Sequence, residues 1–282
     1  MVALYFYTLK SEEGGQNVVQ ILCAIFVYYG KRSGFVVELR DETEHYQALE
    51  LFERYNQKLT EEVDAKTQQI ASIQEKIILG MAQIIESRDL STGGHIKRTS
   101  TVVRIFADEL LKADLGFDPV FLHLVVRSAP MHDLGKIGVD DAILRKQGKF
   151  TPEEYAKMKE HPAIGARIVK EVLTDVEAPD FVTVAVNVAH YHHEKVDGTG
   201  YPCGLKSTEI PVEARIMALA DVFDALASKR CYKEAFSFDK AFSIIVQDAG
   251  THFDTELASV FLRCRPQLEH FYQEQEKDHE QV

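Results

Sequence analysis

Cysteine is scarce and scattered: Cys23, Cys203, Cys231 and Cys264 contain no C-x-x-C pair. That spacing argues against a zinc knuckle and offers no disulfide framework, so a reducing cytoplasm is the default compartment. Positive charge is also in short supply, with 32 Lys and Arg against 44 Asp and Glu and a formal net charge of −12. Such a chain lacks the broad basic surface that a long nucleic acid requires for counterion release. A small phosphorylated ligand stays compatible, because metal ions and a few local cations can offset its phosphates. No hydrophobic run is long enough to span a bilayer; the longest, Val18 to Tyr29, has about a dozen residues. It reads as a buried strand or helix. Beyond residue 80 no run resembles a core strand of a parallel sheet.

What is present divides into three stretches. The 282 residues, 45% of them hydrophobic, suffice for one large core and an appendage. Residues 1–48 are a small regulatory segment or the remnant of a domain, with strand-like stretches at Leu4–Leu9 and Phe35–Leu39 on either side of the apolar run. Turn signals fall at Gly14-Gly15 and Gly30-Lys31-Arg32-Ser33-Gly34, which allows an α+β fold. Residues 49–88 read as a signalling or linker helix: from Glu44 to Arg88 there is no proline, and only Gly80 interrupts. Apolar residues recur at Leu59, Val63, Ile70, Ile73 and Ile77, steps that fit the a and d positions of a short coiled coil with Lys66 as a polar breach. They fit equally an amphipathic helix packed on its own domain. Dimerisation through residues 59–77 is the expectation from the first reading.

Residues 89–282 are patterned as helices almost throughout, at Val102–Leu111, Phe121–His132, Pro152–Lys159, Ile164–Leu173, Asp180–His193, Ala214–Ser228, Phe238–Asp248 and Asp254–Leu262. Thr151-Pro152, Ser237 and Asp254 supply helix starts, while the charged tail from Gln273 reads as frayed. The expected fold class is all-α, a bundle whose functional side chains project inward from different helices.

The chemistry concentrates in imidazoles and carboxylates. His132-Asp133-Leu134-Gly135-Lys136 lies about sixty residues before His192-His193-Glu194 and the glycine turn Asp197-Gly198-Thr199-Gly200-Tyr201-Pro202. If one helix carries the first cluster, Lys136 shares a face with His132 and Asp133. The Asp133 carboxylate, with two oxygens, is suited to bridge two metals that generate a hydroxide and clamp a phosphodiester. Alone, a His-Asp pair is more often a helix-end hydrogen bond. Here it has companions: His95, His161, the adjacent His192 and His193, and Asp221 and Asp224 in an otherwise apolar helix, where a metal is the simplest partner for at least one. Glu194 is expected to orient a ligand histidine, and His123, His190 and His252 to lie outside the ligand shell.

These stretches resemble the HD-GYP family, a branch of the HD metallophosphohydrolase superfamily, over roughly residues 80 to 265. The likeness is carried by Arg88-Asp89, Gly94-His95, Arg98, His132 to Ile137, His161-Pro162 with Gly165, His192 to Glu194, Asp197 to Pro202, Asp221 to Leu226, Arg230 with Tyr232-Lys233, and Phe253-Asp254. The resemblance implies an HD-type helical bundle over residues 89–282 that hydrolyses a cyclic dinucleotide, principally cyclic di-GMP to pGpG or on to GMP, in bacterial signalling. It implies two divalent metals, iron or manganese, one held by His95, His132, Asp133 and Asp221, the other by Asp133, His161, His192 and His193. Lys136 matches the catalytic lysine, Tyr201 the loop lining the pocket, and Arg230 and Lys233 positions that hold substrate. Two departures stand out. Ser91 replaces a glutamate that serves a third metal in some members, which implies a binuclear site and an end product of pGpG. Cys231 stands where the family has proline. A catalytically weak module acting as a cyclic-dinucleotide-responsive or protein-interaction switch is the alternative, and a signalling protein partner fits either.

Overall fold

The computed structural model describes residues 2–10, 16–28, 31–89, 94–174, 178–229 and 235–280. By its contacts the chain divides into Met1–Ser72 and Ile73–Val282.

The first unit opens with an antiparallel sheet of three strands in the order β1-β2-β3, namely β1 (Val2–Lys10), β2 (Gln16–Tyr28) and β3 (Lys31–Asp41). β1 pairs from Val2↔Ala24 to Lys10↔Gln16, so the apolar run becomes the central strand. β-branched residues such as Val19 and Ile21 suit that position. The expected turn at Gly30 to Gly34 is shorter than its sequence suggests, because pairing continues to Tyr28↔Lys31 and Gly34 lies within β3. The register shifts between Phe26 and Val27, opposite Gly34, where a residue without a side chain accommodates the irregularity. Asp41 then caps the long helix α1 (Thr43–Glu86), accepting from the Thr43 amide at 2.9 Å.

The second unit is helical. It comprises the end of α1 and α2 (His95–Lys112), α3 (Pro119–Ser128), α4 (Asp141–Leu144), α5 (Pro152–Met158), α6 (His161–Val172), α7 (Pro179–Tyr191), α8 (Val212–Ala227), α9 (Phe238–Gln247), α10 (Thr255–Phe261) and α11 (Arg265–Glu280). The all-α expectation holds here. The anticipated starts are real: Thr151 and Glu154 form a reciprocal capping box, Ser237 accepts from the Lys240 amide, and Asp254 accepts from those of Glu256 and Leu257. α8 is buried on nearly every side, which explains its lack of polar periodicity. Around it Phe106, Phe223, Phe242 and Phe261 pack with centroids 4.9 to 6.3 Å apart. α11 anchors its first half in the same core through the buried Leu268 and Tyr272, ahead of the tail from Gln273. A smaller cluster, Met131, Val169, Leu173, Phe181, Ala185 and Ala189, receives Ile78 from α1. No helix among the described residues is long and apolar enough to cross a membrane.

Candidate metal centre

His132 and Asp133 do not lie in one continuous helix with Lys136. His132 closes the 3-10 turn Ala129–Met131, and Asp133 opens a second, Leu134–Gly138. At three residues per turn, positions i and i+3 eclipse, which brings Lys136 Nζ to 2.8 Å from Asp133 Oδ2. Gly135 makes this turn possible where it crosses α6. A Cβ on it would overlap the His161 carbonyl oxygen and the Gly165 amide nitrogen.

Two groups of three ligand atoms converge, His95 with His132 and Asp221, and His161 with His192 and His193; within each the atoms lie within 4.8 Å of one another. His95 and His161 each begin a helix, α2 and α6, while His192 and His193 follow the end of α7. Asp133 stands between the groups. Its Oδ2 is 3.4 Å from His132 Nε2 and 3.8 Å from His95 Nε2, and its Oδ1 is 3.4 Å from His161 Nε2 and 3.9 Å from His192 Nε2. Asp221 Oδ1 is 3.4 Å from His95 Nε2.

The far side of each ring fixes its tautomer. Nδ1 of His132, His161 and His192 donates to the carbonyls of Ala129, Met158 and Val188, and Nδ1 of His95 to Asp224 Oδ2 at 2.7 Å. Carbonyls and carboxylates only accept, so these protons sit on Nδ1, and a ring in its neutral form turns a bare Nε2 lone pair inward. Nε2 of His95 lies 3.3 Å from that of His132, and Nε2 of His161 3.5 Å from that of His192. Facing lone pairs repel unless a cation shares them. The donor set therefore fits divalent metal binding, all imidazole and carboxylate without thiolate. Burial holds His161, His192 and His193 below the ordinary imidazole range, His192 at about 3, and neighbouring imidazoles push the same way for His192 and His193. Burial opposes charge at His132 too, but the Asp133 carboxylate outweighs it and raises that pKa. At Lys136 burial likewise loses to Asp133 and Asp89, so the ammonium stays charged.

A model of the HD domain matches residues 80–257. The chain belongs to the HD domain family. Over 207 residues, 72% of this chain, it is 42% identical to a protein named cyclic di-GMP phosphodiesterase from Vibrio cholerae serotype O1 and covers 42% of it. Over 211 residues, 73% of this chain, it is 39% identical to a probable cyclic di-GMP phosphodiesterase of the same organism and covers 48% of it. It is 33% identical over 187 residues, 66% of this chain, to a 3'3'-cGAMP-specific phosphodiesterase of that organism, covering 34% of it. The chain thus spans less than half the length of these relatives. Their names agree with the resemblance carried by the motifs.

Several residues of the HD domain site were missed or misread in the sequence. Asp224 is the hub behind His95: besides that ring it accepts from Arg98 Nε at 2.7 Å, Ser228 Oγ at 3.0 Å and Tyr272 Oη at 2.6 Å. Its burial favours the neutral acid, yet His95 and Arg98 hold the carboxyl well below its usual range. Among the described residues Glu194 has no hydrogen bond to a ligand histidine; it accepts from the amides of Cys203, Gly204 and Leu205 at 2.6, 3.1 and 3.0 Å and so shapes the loop after Tyr201. A buried carboxylate beside a glycine turn is satisfied more fully by three amides than by one ring. Tyr201 lies where its loop placed it, its ring 4.7 Å from that of His193. Glu86 was not anticipated either. It accepts from the His95 amide at 2.6 Å and caps α2, whose own N-cap is Gly94 at φ 78°. Arg88 donates to Asp141 and to the carbonyls of Ile137 and Val139, fastening the end of α1 to the turn that carries Lys136. His123, His190 and His252 stay outside both groups, as expected. Ser91, Arg230, Cys231 and Lys233 lie outside the described residues.

Proposed function

We propose that the chain is a metal-dependent phosphodiesterase that opens a cyclic dinucleotide, cyclic di-GMP in preference to 3'3'-cGAMP. The observation that carries this reading is Asp133, with one oxygen toward each histidine group and Lys136 beside it. The relatives named for cyclic di-GMP, at 42% and 39% identity, favour that substrate over those named for 3'3'-cGAMP, at 36% and 33%.

His95, His132, Asp133 and Asp221 would hold one metal and Asp133, His161, His192 and His193 the second, with iron or manganese suited to such donors. When bound, the pair supplies a hydroxide nucleophile near neutral pH and neutralises phosphate charge. Backbone carbonyls and Asp224 keep the rings aimed, so little reorganisation accompanies catalysis. The Lys136 ammonium meets charge building on the phosphate, held in place by Asp133 and by Asp89 at 3.3 Å. Tyr201 walls the pocket beside His193, and Arg230 and Lys233 hold the substrate. With Ser91 in place of a third-metal carboxylate, the product is pGpG. Residues 1–48 act on this site through α1, which pairs with a second copy and receives the signal of a partner protein. The free thiols of Cys203 and Cys264 suit a reducing cytoplasm.

The test is metal content and product analysis on anaerobically iron-loaded and manganese-loaded protein. Two metals per chain and conversion of cyclic di-GMP to pGpG are expected. Asp133→Ala should lose both metals and all turnover; retained turnover, or a fully loaded wild type inert on either cyclic dinucleotide, refutes the reading.

A further inference from the structure

Along α1 the apolar stripe is longer and stricter than residues 59–77. Counting in steps of three and four, Leu49, Asn56, Val63, Ile70, Ile77 and Ile84 occupy one seam position of a heptad, and Phe52, Leu59, Lys66, Ile73 and Gly80 the other. This runs through a single 44-residue helix, roughly 66 Å long at 1.5 Å per residue. Every large apolar member is exposed, from 44% at Leu49 to 69% at Ile84. The helix does not use this stripe to pack on its own domain. Where α1 joins the second unit, Ala82, Ile85 and Glu86 are the buried residues and Ile78 packs on the small core, while Ile73, Ile77 and Ile84 remain outside. A 3.5-residue period on a helix with 3.6 residues per turn keeps facing the same way only if the helix supercoils around another.

We infer that α1 forms a parallel, in-register, two-stranded coiled coil with a second copy of this chain from Leu49 to Ile84, registered by Asn56 facing its own counterpart. This deepens the dimer included in the proposed function. Three features select parallel pairing of two strands. β-branched side chains fill one seam position at Val63, Ile70, Ile77 and Ile84, the preference of parallel dimers. Asn56 occupies that same position, where a single asparagine fixes register and strand number at a cost in stability. The flanking pairs brought together by this register, Ala48 with Glu53, Tyr55 with Thr60, Glu62 with Thr67, Gln69 with Gln74 and Lys76 with Met81, include no like charges. Lys66 fits as well. Its ammonium donates to Gln69 Oε1 at 3.2 Å on the flank, leaving its aliphatic stem along the seam.

The experiment uses the full chain with Phe52→Cys or Ile73→Cys, two equivalent seam positions three heptads apart. Wild type, run alongside, sets the background of its own four cysteines. Each variant should give a disulfide-linked dimer on mild oxidation, read on a non-reducing gel, and sedimentation should show a dimer. In an equimolar mixture of the two variants, peptide mapping should find no disulfide joining the two introduced thiols to each other. A monomer in sedimentation, absence of either self-linked dimer, or such a crossed disulfide, whose thiols a parallel in-register pair holds about 30 Å apart, overturns the proposal. Asn56→Leu should add higher oligomers; an unchanged dimer refutes Asn56 as the register device. None of these readouts involves turnover. An active monomer would sink the coiled coil and spare the phosphodiesterase; a linked dimer inert on cyclic dinucleotides would do the reverse.

Discussion

Asp224→Asn keeps the side chain's shape but removes the charge that His95, Arg98, Ser228 and Tyr272 share. An amide that turns its nitrogen toward Arg98 or the His95 Nδ1–H meets a donor, so the ring loses its anchor. Metal affinity should fall roughly 10–100-fold, the usual effect of removing a group that orients a ligand histidine, as measured by competition with a chelating dye. Tyr272→Phe removes only one donor and should cost about 1 kcal/mol of stability with metal affinity nearly kept. Residue pattern alone offers no reason to choose Asp221 over Asp224 as the inward carboxylate, because both sit in an apolar helix three residues apart. What separates them is the neighbours brought by α2 and α11, two elements far apart in the chain. Tyr272 was invisible for a related reason: it lies one residue before a charged tail, and the Asp224 it donates to is 48 residues away in the chain.

Among elements, the turn carrying Lys136 and α6 approach closely, backbone to backbone. Gly135→Ala should destabilise the protein by about 3 kcal/mol or more, since the new Cβ meets backbone that cannot rotate away. Gly165→Ala, whose Cβ would lie 3.1 Å from the Gly135 nitrogen, should cost less, because a helical alanine recovers part of the loss. Thermal melts of the metal-free variants decide the order. Glu194→Ala should leave metal content unchanged and raise KM, because its three amide partners belong to the loop and none to a ligand ring. The helices were legible because their apolar faces repeat and their caps are local. The break between the two 3-10 turns was not, since the crossing of α6 that demands it is a long-range contact. Nor was the central place of β2, where a short apolar run fits helix and strand alike.

For the whole molecule, the site makes stability depend on metal and on pH. Manganese should raise the thermal midpoint in a saturable way, because ligand bound only to the native state adds RT ln(1 + [L]/Kd). Without metal, acid should weaken the fold. Unfolded histidines take up protons below about 6.5, whereas His192 resists until about 3, with His161 and His193 lowered too. Their contribution is full above 6.5 and lost as pH falls toward the folded values. His132, shifted upward, acts in the opposite sense but is one ring against three. The depressed carboxyls of Asp133 and Asp224 add stability above 3.8 that disappears below it. Urea midpoints of metal-free protein should therefore be lower at about pH 5.5 than at about pH 7.5, and manganese should raise both, the one at the higher pH by more, because imidazoles must shed protons to bind it. The Glu86 carboxylate on the His95 amide carries one more consequence. It makes the last turn of α1 and the first ligand partners in a reciprocal equilibrium, so whatever loosens that turn weakens metal affinity and metal must steady the turn by the same free energy. Amide exchange across residues 80–89 should slow on metal loading, and Glu86→Gln should shrink that slowing. A metal centre wired in this way reports on the helix leading to it as much as it is governed by it.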